Sequence, residues 1–336
     1  MIPTDQQRTK KIDWREVPIE KRLWYFANQM HIDHPQFVRC LVEIKRRMLR
    51  CKNEGKGSAL AVLCPSGCGK TYIRNYLERV WPNIESSHLT TVPVISFEIP
   101  LGANVIGMAE ALLSSAGDPC PPGSARVLTA RIIDLLPKIG TRLILIDNVQ
   151  DVPEKRGSQG MLEIGGWIRR LVDDSKVMIV LLGTFALPTL YKKNGQAKRR
   201  SITELHINPF YYDDDSSKSN FSKFLNLIDE RLPLAEKSDI SSGDLAERIF
   251  HASYGIPDFI FKLLNEAVSV AVAAKREKII RSDLAKAFIL VYQDKGQDFN
   301  PFIAAESRPM DQEGEPFFDW YDSSNPEPKR RKRSRP

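Results

Sequence analysis

Leu63-Cys-Pro-Ser-Gly-Cys-Gly-Lys-Thr71 stands between a short apolar run, Ala59–Leu63, and a stretch of helical periodicity, Thr71–Val80. A strand, a glycine-rich turn and a helix in that order make a phosphate-binding loop. The usual pattern is G-x-x-x-x-G-K-[ST]. Here Cys64 replaces the first glycine, while Gly67, Gly69, Lys70 and Thr71 keep their places. Pro65, Ser66, Gly67, Cys68 and Gly69 would wrap around phosphates at a helix N-terminus, where negative charge is favoured, all but the proline offering a backbone N–H. Lys70 would reach the β- and γ-phosphates, and the Thr71 hydroxyl would ligate Mg²⁺. Cys64 is acceptable there provided its φ is negative. A metal site made of Cys64 and Cys68 is a poor alternative, since the phosphate loop already accounts for both.

Outward from the loop, short apolar runs recur at Val92–Phe97, Leu143–Ile146 and Val177–Leu182, with a weaker one at Ile202–Ile207. Helical stretches separate them at Val105–Ser115, Ala125–Leu136 and Met161–Val172. Buried apolar strands alternating with helices predict a mostly parallel sheet covered on both faces, a three-layer α/β core. In Arg142-Leu-Ile-Leu-Ile-Asp-Asn148, four apolar residues lead to Asp147 at a strand end, where its carboxylate can hold the Mg²⁺ shell. Nucleotide hydrolases of this kind usually follow that Asp with a Glu that activates water. Asn148 is an amide, which holds a water without taking its proton, so hydrolysis is expected to be slow or to use another group. Asp151 and Glu154 are carboxylates further along, outside that position. Val177-Met-Ile-Val-Leu-Leu-Gly-Thr184 ends a strand in a hydroxyl, suited to sensing a γ-phosphate or an attacking water.

The flanks read differently. Residues 1–58 form a helical entry segment in which Phe37, Leu41, Ile44 and Met48 share one stripe, and Lys45, Arg46, Arg47 and Arg50 read as a solvated face. Asp213-Asp-Asp-Ser-Ser-Lys-Ser is a polar break closing a core of 59–212. Residues 213–294 then predict a small helical lid. Residues 295–336 lose periodicity and predict a disordered tail, containing the aromatic cluster Phe317-Phe-Asp-Trp-Tyr321 and a basic end.

Charge follows the same division. Of 49 Lys and Arg in 336 residues, six lie in the last eight, leaving 43 against 42 Asp and Glu. The basic balance therefore belongs to the tail and says little about the body. Five cysteines without a CxxC pair or a nearby zinc-spaced His predict reduced thiols in a cytosolic protein. No apolar signal region opens the chain, and the run Val177–Leu187 is too short for a bilayer, so secreted and membrane-spanning classes are set aside.

The order of these motifs resembles the AAA+ ATPases of the TniB/TnsC type, regulators of DNA transposition, some working with RNA-guided (CRISPR-associated) target selectors. The likeness runs from about His31 to Asp283. Ile32-Asp-His-Pro-Gln-Phe37 resembles the entry segment, and Phe97-Glu-Ile-Pro-Leu with Ala116-Gly-Asp-Pro119 resembles the second strand and its helix. Leu145-Ile-Asp-Asn-Val-Gln resembles the Walker B region, Leu182-Gly-Thr-Phe-Ala186 the sensor strand, and Gln196-Ala-Lys-Arg-Arg200 a Gln-x-x-x-Arg segment. Gly255-Ile-Pro-Asp258 with Leu263-Leu-Asn-Glu-Ala267 resembles the lid helix, with Asp258 in the region where many such lids carry an Arg.

The resemblance implies ATP and Mg²⁺ as cofactors and a homo-oligomer, ring or helical filament, on duplex DNA. It implies transposase subunits and a target-selection complex as partners, no membrane, and a bacterial cytoplasmic, nucleoid-associated setting. It also implies roles for Lys70, Asp147, Asn148 and Thr184 in hydrolysis, and for Arg199 or Arg200 facing a neighbouring subunit's nucleotide. Asn104, Lys155 and Arg156 are candidate DNA contacts. Two other readings stay open: an ATP-binding assembly adaptor that hardly hydrolyses, and an unrelated AAA+ or signalling NTPase whose basic tail is a nuclear address.

Overall fold

The computed structural model describes residues 12–30, 32, 34–86, 90–100, 102, 104–119, 122–149, 157–184, 202–292 and 299–317. In chain order the helices are α1 (Ile19–Asn28), α2 (Pro35–Glu54), α3 (Lys70–Val80), α4 (Val105–Ser115), α5 (Ala125–Lys138), α6 (Gly157–Ser175), α7 (Asp215–Asp229), α8 (Gly243–Ser253), α9 (Pro257–Ala273) and α10 (Arg281–Val291). The five strands of the main sheet are β1 (Ser58–Leu63), β2 (Val94–Glu98), β3 (Leu143–Asp147), β4 (Met178–Gly183) and β5 (Thr203–His206). A two-residue hairpin, Ile84–Glu85 against Thr90–Thr91, stands apart from it. The chain divides into two compact units. One holds the described residues from His34 to Asn208, and the other those up to Ile32 together with those from Pro209 to Phe317.

The first unit is the expected three-layer α/β core. Its strands are all parallel, in the order β2-β3-β4-β1-β5, so β4 lies between the phosphate-loop strand and the strand ending in Asp147. Register pairs such as Leu63 with Gly183 bring the strand ends to one edge. The central strands β1, β3 and β4 are almost continuously apolar because both faces are covered. On one face Ile144, Ile146, Ile179 and Leu181 pack with Met108, Leu112, Leu128, Ile132 and Leu171 of α4, α5 and α6. Gly57 is required there: a Cβ on it would fall 1.9 Å from the Val172 carbonyl oxygen.

The helix α2 packs against β1 and β4, with Phe37, Leu41 and Ile44 buried. The Phe37 ring meets that of Tyr72, on the helix after the phosphate loop, at 4.6 Å. His34 caps α2 by accepting from the Phe37 N–H, and burial pushes its pKa down to about 4, which keeps that nitrogen free to accept. Two basic residues of this helix are committed within the unit. Arg46 and Arg47 both bind Glu43, and Arg47 also donates to the Ala59 carbonyl and the Thr203 hydroxyl, joining β1 to β5. The boundary expected near residue 58 therefore moves to 34, because the apolar stripe of α2 has its sheet partner inside this unit.

The second unit is helical, as expected, and its start also moves. Asp214 accepts from the Ser217 N–H and Ser217 returns the bond in a capping box, so the polar break at 213–219 begins α7 rather than separating domains. The unit starts earlier, with Phe210 stacked on Phe224 at 4.4 Å and bonded through its N–H to the Gly255 carbonyl. Gly255, at φ 68°, allows this approach; a Cβ there would sit 2.2 Å from the Phe210 oxygen. The early helix α1 belongs here too, packing on α9, with Arg22 bound to Glu277 at 3.0 Å.

The expectation of a disordered tail from residue 295 is corrected for residues 299–317. Phe302, Met310 and Phe317 are buried. Arg248 donates to the carbonyls of Pro301, Ala304 and Ala305, and the Phe317 ring lies 5.0 Å from that of Phe259 and 5.5 Å from that of Tyr254. Phe317 is thus a core residue; residues 318–336, with the rest of the aromatic cluster and the basic end, lie outside the described residues.

Candidate nucleotide site

The phosphate loop hangs between two anchors. The Cys64 N–H donates to the Gly183 carbonyl at 2.8 Å, tying the loop's first residue to β4, and the Ile73 N–H donates to the Gly69 carbonyl in the first turn of α3. Gly67 and Gly69 have φ of 77° and 107°, values that L side chains rarely adopt, so these two glycines are demanded by conformation. Cys64 is not among the described non-glycines with positive φ, so replacing the usual first glycine costs no backbone strain here. Its thiol is buried, 3.6 Å from the Pro65 carbonyl, and burial pushes its pKa up to about 12. A protonated, enclosed thiol is a poor metal ligand. Among the described residues no group of three or more His, Cys, Asp and Glu is placed to hold a metal.

Lys70 opens α3 and folds back across the loop, its Nζ donating to the Cys64 carbonyl at 2.7 Å. That ammonium therefore spans from the start of α3 to the first residue of the loop. Thr71 follows it, exposed. Asp147, at the end of β3, is buried, with one oxygen accepting from the Asn148 N–H at 2.8 Å. Burial raises its carboxyl pKa above the ordinary range, while the Asn148 N–H and the charges of Arg74 and Lys70 act in the opposite sense. One buried carboxylate and one exposed hydroxyl suit Mg²⁺, which takes few protein oxygens and completes its shell with phosphates and water.

Asn148 turns into the left-handed region at φ 55°, where Asn is among the residues best tolerated. Thr184 directly follows β4, half-buried, at the strand end between those of β1 and β3. Residues 63–71, Asp147, Asn148 and Thr184 are therefore gathered at the carboxyl ends of adjacent strands. Asn104, in the connection after β2, is the N-cap of α4, its side-chain oxygen accepting from the Gly107 N–H at 2.9 Å. Asp151, Glu154, Lys155, Arg156, Arg199 and Arg200 lie outside the described residues. In the helical unit Asp258 pairs with Lys262 in the first turn of α9.

Two polar side chains at this edge escaped the sequence reading. Arg74 of α3 lies 2.8 Å from Glu98 and 3.5 Å from Asp147. The only signals for them were the four-residue spacing from Lys70 to Arg74 and the position of Glu98 at a strand end.

Residues 22–209 match the family model described as bacterial TniB protein. No curated protein sequence matches the chain. Among solved structures, it resembles Cdc6p from Pyrobaculum aerophilum, with 14% identity and a TM-score of 0.54 over 78% of this chain and 69% of that one. The Aeropyrum pernix ORC2 protein, solved as ADPNP–ADP complexes, gives 15% identity and 0.55 over 79% and 71%. The Aeropyrum pernix ORC1 protein, solved in complex with DNA, gives 16% and 0.53 over 81% and 70%. At such identities the likeness establishes a shared AAA+ fold.

Proposed function

The chain belongs to the bacterial TniB family, and from that premise we propose that it is an ATP-dependent regulator of DNA transposition. On this reading it binds ATP with Mg²⁺, oligomerises on duplex DNA as a ring or filament, and couples a target-selection complex to the transposase. The observation that carries the nucleotide half is the loop itself: two glycines in the left-handed region, and a lysine spanning to the Cys64 carbonyl beside the buried Asp147. The DNA half is supported by the family and by the solved ORC1 relative, whose structure contains DNA.

In such a site Lys70 and the loop N–H groups would bind the β- and γ-phosphates, and Thr71 with Asp147 would hold Mg²⁺, which supplies charge neutralisation along the phosphates. Thr184 would report on the terminal phosphate. Arg199 and Arg200 are proposed to act on a neighbouring subunit's nucleotide, since a guanidinium stays charged and bridges phosphate oxygens.

Fluorescence anisotropy of a labelled duplex tests the reading. ATP should tighten binding by at least about tenfold over ADP, which requires differential affinity of the nucleotide for the assembled state. Lys70→Ala should remove the difference. Equal binding with ATP, with ADP and by Lys70→Ala contradicts the proposal. Asn148 favours one second reading, an ATP-loaded adaptor that hardly hydrolyses, which predicts ATP-dependent binding without turnover.

A further inference from the structure

The strand register sets two carboxylates side by side at the edge of the phosphate loop. Glu98 ends β2, Asp147 ends β3, and the two are partners in the parallel ladder. The Ile99 N–H donates to the Asp147 carbonyl at 3.2 Å, which carries the pairing one residue past the end of β2. Arg74, one turn beyond Lys70 on α3, bridges them with a single terminal nitrogen. A cation from the helix that opens at the phosphate loop therefore touches both acids.

The two acids differ in setting. Asp147 is buried, whereas the Glu98 side chain is 57% exposed and stands on a flexible stem at the open edge. The first suits a fixed ligand and the second a group that swings. Position 148, directly after the buried Asp, carries an amide without basic character.

We propose that Glu98 is the carboxylate that aligns the attacking water and takes its proton during ATP hydrolysis. The inference rests on the nucleotide-hydrolysis reading of this same site. As the water oxygen bonds to the γ-phosphorus, the bond from that phosphorus to the β,γ-bridging oxygen breaks, and its electron pair leaves with ADP. The water proton passes to a Glu98 oxygen and from there to solvent, which restores the carboxylate. Water and ATP supply every atom, and nothing is oxidised or reduced. The ion pair with Arg74 holds Glu98 at this edge, so taking a proton requires Glu98 to turn an oxygen away from that guanidinium.

Glu98→Gln tests this, because the amide keeps an acceptor oxygen for Arg74 but loses the base. Three readouts are needed: single-turnover cleavage of pre-bound ATP, affinity for a fluorescent ATP analogue, and ATP-dependent assembly in sedimentation. The cleavage rate should fall by about 100-fold or more, the lower end of general-base effects. Affinity should stay within about twofold, since the loss is confined to the transition state. ATP-dependent assembly should persist, and Glu98→Ala should repeat the pattern. Cleavage by Glu98→Gln at the wild-type rate, with wild type well above the Lys70→Ala background, overturns the proposal and leaves the hydrolysis reading standing. Parallel loss of affinity and cleavage makes Glu98 a structural residue and also overturns it. A wild type no faster than Lys70→Ala removes both the proposal and the reading it rests on.

Discussion

Asn148 shows how much one residue carries at this site. Its φ of 55° lies where an ordinary L residue pays about 1–2 kcal/mol, because Cβ crowds the following carbonyl oxygen. Asn148→Ala should therefore lower the stability of the α/β unit by about 1 kcal/mol, whereas Asn148→Gly should not, since glycine visits this region freely. Urea unfolding of the three proteins checks the pair; equal losses would mean that the side chain, and not the backbone, is what matters. The same scale shows what a sequence can give away. Gly67 and Gly69 were legible because their backbone conformation demands glycine. The sign of the Cys64 φ was not, and neither was the Arg74–Glu98–Asp147 contact. Residues 74, 98 and 147 meet only through strand order and register, which no local pattern encodes.

At the scale of elements, the strands were the most legible part, since a strand buried on both faces writes itself as an unbroken apolar run. The boundaries were less so. The 3.6-residue stripe of α2 looks the same whether its partner is a sheet or another helix, and only the packing of α2 on β1 and β4 places it in the α/β unit. Ile44 is fully buried there. Ile44→Ala should cost roughly 2–5 kcal/mol in the unfolding of that unit, the usual range for removing a buried aliphatic side chain. A loss below about 1 kcal/mol, the scale of surface substitutions, would put α2 outside the core. The segment 299–317 was misread for a different reason: its buried anchors Phe302, Met310 and Phe317 are far apart among Pro, Glu and Ser, without helical or strand period. Phe317→Ala should destabilise the helical unit by about 3–5 kcal/mol, leaving a gap among the rings of Tyr254, Phe259 and Tyr292. An unchanged melting temperature would return this segment to the surface.

At the scale of the whole molecule, an AAA+ α/β unit and a helical unit share one chain, and the family match runs from Arg22 to Pro209. The charge distribution agrees with a division of labour, because the basic excess lies in the final residues and leaves the body nearly neutral. On the proposed reading the DNA contacts of the body are supplied by several subunits in turn, each adding a few phosphate contacts. Nucleotide-driven assembly on DNA is therefore the central claim. Electron microscopy of the full chain with duplex DNA tests it most directly, comparing ATP, ADP and Lys70→Ala with ATP. The account predicts regular rings or helical filaments around the duplex with ATP alone; bare DNA in all three samples, or the same assemblies in all three, would contradict it.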